Sequence, residues 1–281
     1  MIPSRNLSLL ANRLATHGER RLPEAVLERD YCLAWFLVAL SRTSLRERLA
    51  FKGGTALKRC YFGDYRFSED LDFTLAVEST FDEIRRELDP VFAEAMRATG
   101  AVFRFAREDR RPHENSHTFY LGYEGPLPGP AGGRELKVDV TIRERVVFPL
   151  EDRPVLRGYE EYADLPEDAT VKVYSLEEVA AEKVVALTDR ARNEPRDLYD
   201  VWYLVQEGQV DLAEVVGAVE QKWDFRGKAL AEVHGEFAAK EPRYRRLWSP
   251  RLSGQLVSLP EFEDVYRAVR RAFRRAGLGA K

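Results

Sequence analysis

Cysteine is scarce. Cys32 and Cys60 are the only two in 281 residues and form no CxxC pair, so they supply neither a disulfide framework nor a thiolate zinc site. A reducing cytoplasm is the predicted setting. No apolar run approaches the ~20 residues of a membrane span. Met1 to Arg21 is polar and of mixed charge, without a signal-peptide core. Repeats at solenoid spacing and low-complexity tracts are also missing, which excludes stacked-repeat and collagenous architectures. Nor is one charge in excess. The 44 Lys/Arg and 47 Asp/Glu leave a net charge of −3, so bulk electrostatics do not announce a nucleic-acid binder.

What is present is a globular balance, 44% hydrophobic and 32% charged. A chain of this length buries enough apolar surface to fold as one large domain or two modest ones, without staples. Its charge is unevenly spread. From Arg243 to Lys281, ten Lys/Arg stand against three acids. That asymmetry suggests a basic surface at one end, the alternative being an ordinary solvated helix face.

The first forty residues read as helix, with Val26, Leu33, Leu37 and Leu40 at helical spacing after Pro23. A short strand from Arg48 ends in Gly53-Gly54, and Thr55 to Tyr61 looks like a helix start. Phe67 to Val77 alternates as a strand, Phe81 to Thr99 is an amphipathic helix, and strands follow at 101–107, 118–123 and 136–146. Gly125 to Gly133 is a Gly/Pro loop. From Ser175, a capping residue with Glu178 three positions on, helices are predicted at 176–191, 195–206, 211–221, 226–239 and 260–276. The fold class is therefore α+β. A mixed-sheet domain over 1–165 is followed by an all-helical domain over 166–281.

The segment with most chemistry runs from Phe51 through Gly53-Gly54-Thr55 to Arg66-Phe-Ser-Glu-Asp-Leu-Asp-Phe. Two glycines between a strand and a helix let backbone amides approach a phosphate, and Thr55 offers a hydroxyl. A tight turn is the plainer explanation of a Gly-Gly pair. Asp70 and Asp72 are two apart on a strand and so share a face. Adjacent carboxylates repel, and Mg²⁺ relieves the repulsion because it prefers carboxylate oxygens plus substrate phosphates. Asp139 lies on the polar face of Leu136-Lys-Val-Asp-Val-Thr-Ile. If the two strands are neighbours, three acids converge. That arrangement can hold two metals for phosphoryl transfer, whereas isolated solvated acids would do nothing.

Lys183 falls on the apolar stripe of its helix, so it must snorkel or point into a cleft. Arg190, seven residues on, is placed on the same stripe, and both are candidates to contact a triphosphate. A lysine neutralised by a neighbouring acid is the alternative. Asp197 and Asp200 open the next helix, where acids commonly just complement the helix dipole.

Taken in order, these pieces resemble the AbiEii/MenT-type nucleotidyltransferase toxins of the DNA polymerase beta superfamily. The resemblance spans roughly residues 25–210. It rests on Lys-Gly-Gly-Thr-Ala-Leu at 52–57, on Arg66-x-Ser68-x-Asp70-Leu-Asp72-Phe, on Lys183 within Glu-Glu-Val-Ala-Ala-Glu-Lys, and on Arg196-Asp-Leu-Tyr-Asp. It implies a nucleotidyltransferase fold with a helical C-terminal domain. It also implies a nucleoside triphosphate, Mg²⁺ and transfer of a nucleotide to the 3′ end of tRNA, which blocks translation, with a separately encoded antitoxin as partner. Gly54 and Thr55 match the phosphate-contacting pair, Gly-Thr standing where the superfamily commonly has Gly-Ser. Asp70 and Asp72 match the metal ligands, and Lys183 and Asp197 the later motifs. Asp139 is placed by strand pattern alone.

The expected catalytic set is therefore Asp70, Asp72, Asp139, Lys183 and Asp197, the first three also as metal ligands. Gly53, Gly54, Thr55, Lys58, Arg66, Ser68 and Arg190 would bind the nucleotide. A cytoplasmic monomer with no membrane partner completes the expectation. A small-molecule nucleotidyltransferase, or a catalytically silent RNA- or partner-binding relative, are the alternatives.

Overall fold

The computed structural model describes every residue except 18–20, 112, 130–132, 234 and 279–281. Lys281 of the basic tail, residues 130–132 of the Gly/Pro loop and residue 234 of the expected 226–239 helix thus lie outside the described residues. The chain divides into two compact units. One comprises Met1–Arg143 and Leu150–Val173, the other Glu144–Pro149 and Tyr174–Lys281.

The first unit is a sheet with helices on its apolar face. Two helices, α1 (Ser4–His17) and α2 (Glu24–Ser41), open the chain. Strand β1 (Leu49–Lys52) runs directly into the short helix α3 (Gly53–Ala56), which widens to a π-helical turn over Leu57–Tyr61. Strand β2 (Asp70–Leu75), helix α4 (Phe81–Thr99), then β3 (Val102–Glu108), β4 (Ser116–Glu124), β5 (Glu135–Thr141), β6 (Leu150–Pro154) and β7 (Thr170–Tyr174) follow. The strand order is β3-β4-β5-β2-β1-β7-β6. The sheet is mixed: β2 pairs parallel with β5 and antiparallel with β1, while β4 pairs antiparallel with both β3 and β5.

Alternation decides which face is buried. Leu71, Phe73, Phe119, Leu121, Val138 and Val140 point one way and are all buried. Phe81 of α4 meets Phe105 and Phe119, and Phe36 of α2 meets Phe103, so both helices cover that face. Helix α4 starts on a capping box, Thr80 with Glu83, which satisfies two otherwise orphaned amides. Helix α2 is buried nearly all round from Leu27 to Leu40, as a central helix must be.

Sequence periodicity does not announce β6 and β7. The first, Leu-Glu-Asp-Arg-Pro, is charged and ends in proline because it is a sheet edge. The second follows a polar stretch and is recruited by parallel pairing with the distant β1.

The second unit is helical: α5 (Leu176–Thr188), α6 (Pro195–Gln206), α7 (Leu212–Phe225), α8 (Glu236–Ala239), α9 (Glu241–Leu252) and α10 (Phe262–Arg275). The expected helix at 226–239 is only a 3₁₀ turn at Leu230–Val233 plus α8. Leu230, Val233 and Phe237 are its buried residues, too few to hold one continuous helix by packing. Helix α9, not anticipated, tolerates Pro242 in its first turn and Pro250 near its end. A buried lysine, Lys222, ties the segment Glu144–Pro149 into this unit. It donates to the Arg145 carbonyl at 2.7 Å and pairs with Glu178 at 2.7 Å, whose other oxygen accepts from the Val147 and Phe148 amides. Among the described residues, no helix is long and apolar enough to cross a membrane.

Candidate active site

The site begins at the end of β1. Gly53 has φ +78°, a conformation that only glycine takes without penalty. A Cβ there would lie 2.7 Å from Oδ2 of Asp72, so the turn and the carboxylate are packed backbone to side chain. A Cβ on Gly54 would collide with Nη2 of Arg66. The Arg66 guanidinium is thus laid across the second glycine, and its side chain is buried. Thr55 donates its hydroxyl proton to the Asp70 carbonyl at 2.5 Å and is buried, so it fixes the turn to the start of β2.

Lys58 does not take the expected place at a triphosphate. It is buried, and its ammonium donates to the Gly63 carbonyl (3.1 Å), the Tyr65 carbonyl (3.1 Å) and the Tyr159 hydroxyl (2.9 Å). It also lies 4.2 Å from the centre of the Phe67 ring. Burial pushes its pKa down to about 8. Lys58 is a core-satisfied lysine that shapes the loop 63–67. Ser68, on the same loop's exit, is half-buried.

Strand register gathers the acids. Residues directly opposite each other on paired strands share a face. Asp72 is opposite Asp139 across β2–β5, Lys52 is opposite Asp72 across β1–β2, and Thr118 is opposite Asp139 across β4–β5. A row Lys52–Asp72–Asp139–Thr118 therefore crosses four strands, with Asp70 two residues along on the same face. All three aspartates are half-exposed while their apolar neighbours are buried. Thr118 donates to Oδ1 of Asp139 at 3.2 Å, and Nζ of Lys137 is 4.0 Å from its Oδ2. Lys52 opens the Lys-Gly-Gly-Thr-Ala-Leu motif, but its place beside the acids is not readable there, because it arises from the pairing of β1 with β2.

Among the described residues, no three His, Cys, Asp or Glu side chains are close enough to hold a metal ion by themselves. Half-exposed carboxylates on one face nevertheless suit Mg²⁺. That ion takes one or two carboxylates and completes its shell with waters and substrate phosphates.

The helical unit carries its own ionic cluster. Lys183 of α5 pairs with Asp197 and with Asp200 of α6, each at 2.7 Å. Arg192 pairs with the other oxygen of Asp197 at 2.6 Å. Both carboxylates are essentially buried, at 2% and 0% side-chain exposure, whereas Lys183 keeps 11%. Burial works to raise the pKa of Asp197, but Lys183 and Arg192 outweigh it and hold the group below its ordinary value. Lys240 fixes the end of α5 by donating to the Leu187 carbonyl at 2.8 Å and the Asp189 carbonyl at 2.5 Å.

Arg190 is misplaced by the sequence reading. Helix α5 stops at Thr188, so Arg190 is not on its stripe and is exposed in the following turn. The arginine that does join the cluster is Arg192. Its position in a turn gives no periodic signal. Asp200 was visible as the i+3 neighbour of Asp197, which puts both on one face of α6.

A family model described as the nucleotidyl transferase AbiEii toxin of type IV toxin–antitoxin systems matches residues 35–274. No curated protein sequence matches. Among solved structures, MenT4, a nucleotidyltransferase toxin from Mycobacterium tuberculosis H37Rv, superposes with a TM-score of 0.60 at 22% identity. That match covers 96% of this chain and 89% of the toxin. JHP933 from Helicobacter pylori superposes with a TM-score of 0.51 at 15% identity, covering 91% of this chain and 95% of that one. At such identities the two structures speak for the fold.

Proposed function

The chain belongs to the AbiEii family of nucleotidyltransferase toxins of type IV toxin–antitoxin systems, and from that premise we propose that it transfers nucleotides from a nucleoside triphosphate to the 3′ end of RNA, tRNA in particular, and so blocks translation. The observation that carries the reading is the register of Asp72 opposite Asp139, with Gly53 packed against Asp72. Carboxylates on two strands then face the same space as the glycine turn, where a triphosphate's backbone contacts and its metal shell meet.

Asp70, Asp72 and Asp139 would supply carboxylates to Mg²⁺, with waters and triphosphate oxygens completing its shell, and the ion when bound would offset triphosphate charge and the charge developing in transfer. The Gly53-Gly54 backbone lies close against the triphosphate, with Arg66 held over Gly54 and Ser68 nearby in sequence. Asp139, accepting from Thr118, is the carboxylate assigned to the acceptor hydroxyl. Lys183 has its charge balanced by Asp197 and Asp200, so its part is to present a fixed donor. Asp197 orients it. Catalysis in this scheme is positioning and charge neutralisation.

The acceptor's phosphates need cations. Helix α10 buries Phe262, Val265, Tyr266, Val269 and Phe273 and exposes Arg267, Arg270, Arg271 and Arg274 along its other side. That stripe is a phosphate rail without sequence preference. The antitoxin that the family implies is encoded separately, and the protein acts as a cytoplasmic monomer.

Incubation with labelled triphosphates, Mg²⁺ and total RNA tests the reading. Label entering RNA is expected. Label entering only small molecules would replace the RNA reading with modification of an antibiotic or metabolite.

A further inference from the structure

A second row of side chains crosses the polar face of the sheet beside the acids. Lys137 is opposite Asp70 across β2–β5, Tyr120 is opposite Lys137 across β4–β5, and Arg107 is opposite Tyr120 across β3–β4. The row Asp70–Lys137–Tyr120–Arg107 thus runs from the acidic site to the sheet's edge. It spans three strand spacings, about 14 Å.

Its outer end is built rather than merely exposed. The Arg107 guanidinium carbon lies 3.6 Å from the centre of the Tyr120 ring. Along its edge, Nη2 donates to Glu135 at 2.7 Å and Nε at 3.3 Å. The Tyr120 hydroxyl donates to Asp109 at 3.3 Å, which fixes the ring in turn. A ring on one side and a carboxylate along one edge hold the guanidinium still, yet 44% of the side chain remains exposed. A fixed planar guanidinium with an aromatic backing is a surface on which a nucleobase stacks. Nearer the acids, Lys137 is 37% exposed and holds its ammonium 4.0 Å from Oδ2 of Asp139, beside the acidic site.

We propose that this row is the acceptor subsite: the base of a nucleotide near the reacting 3′ end stacks on Arg107, and Lys137 takes the phosphate that links it toward Asp139. The inference rests on the reading that RNA is the acceptor, and it adds residues that the family motifs do not include. Glu135 balances the charge of Arg107, so the platform contributes stacking and little net charge. Lys137 contributes the charge. The two halves therefore have separable signatures.

The test is steady-state transfer to RNA by the full chain, with the Michaelis constants for RNA and for triphosphate measured separately against salt. Wild-type labelling of RNA is scored first. If no RNA is labelled, the acceptor reading fails and the subsite fails with it. Given labelling, Arg107→Ala is expected to raise the RNA constant at least about fivefold, the low end of one lost stack, with the triphosphate constant unchanged. Arg107→Lys keeps the charge and loses the plane, and should behave like Arg107→Ala with an unaltered salt slope. Lys137→Gln should also raise the RNA constant and flatten the slope of log affinity against log salt by about 0.7. An RNA constant unchanged in all three variants overturns the subsite while leaving RNA transfer standing. A rise confined to the triphosphate constant overturns it too, by assigning the row to the incoming nucleotide.

Discussion

Aspartates occupy opposite environments in the two units of this chain. On the sheet, Asp70, Asp72 and Asp139 are half-exposed on a polar face, brought together by strand register. In the helical unit, Asp197 and Asp200 are buried and clasped by Lys183 and Arg192 at 2.6–2.7 Å. The first set is partly open to solvent; the second is enclosed and ion-paired. Removing an exposed carboxylate takes away chemistry and little stability. Removing a cation from the buried cluster leaves uncompensated charge and takes away stability first. Equal residue types thus carry different burdens, and burial decides which.

Asp72→Asn is the sharpest way to test the first half. It should lower nucleotide transfer by about 10²–10³-fold or more, the scale of removing one preorganised electrostatic contact. The denaturation midpoint should move far less than it does for a change in the buried cluster, since the Asp72 side chain is partly exposed. A variant with full activity would remove the ligand assignment.

Lys183→Met probes the other half. Two buried carboxylates would lose the ammonium they share, and about 3–5 kcal/mol of stability should be lost. Adding Asp197→Asn and Asp200→Asn to it should restore much of that stability without restoring transfer. If the single variant is as stable as wild type, the cluster is not internally balanced and the comparison breaks.

A smaller effect is expected from α10. Changing Arg267, Arg270, Arg271 and Arg274 together to Glu should weaken RNA binding and leave triphosphate binding unchanged. Each lost phosphate contact should flatten the log–log salt slope by about 0.7–0.9. An unchanged slope makes the stripe a solvated surface.

The smallest effect is in acid. Asp197 has a folded pKa below its ordinary 3.8. A carboxylate lowered on folding stabilises above the unfolded value and loses that contribution as pH falls through the folded one. The stability gap between wild type and Asp197→Asn should therefore be full at neutral pH and shrink below pH about 4. A gap constant down to pH 2 would contradict the assignment of its charge.

Much of this was legible in the sequence because the signals are local. Alternation in β2 and β5 put Leu71, Phe73, Val138 and Val140 inward and the aspartates outward, and the fourfold spacing of Val265, Val269 and Phe273 gave the buried stripe of α10. The mixed sheet and the helical region that follows were expected and are found. What escaped depends on distant partners. Lys52 joins the acids only through the β1–β2 register, and β7 is placed between β1 and β6, strands distant in sequence or without periodic signal. Lys58 looked like a phosphate ligand from its place after the glycines. Only the tertiary positions of Gly63, Tyr65 and Tyr159 reveal that its ammonium is already satisfied. Arg190 falls off the α5 stripe because the helix ends three residues early, at Thr188, which periodicity cannot fix, and Arg192, just beyond, reaches Asp197.

The claim at the centre of the account is that the half-exposed aspartates of the sheet carry out nucleotide addition to RNA. Sequencing the 3′ ends of total RNA after incubation with Mg²⁺ and each of the four triphosphates, using wild type and Asp72→Asn side by side, tests it most directly. Untemplated nucleotides at RNA 3′ ends, tRNA foremost, are expected with wild type and none with the variant. Additions made equally by both proteins would contradict it.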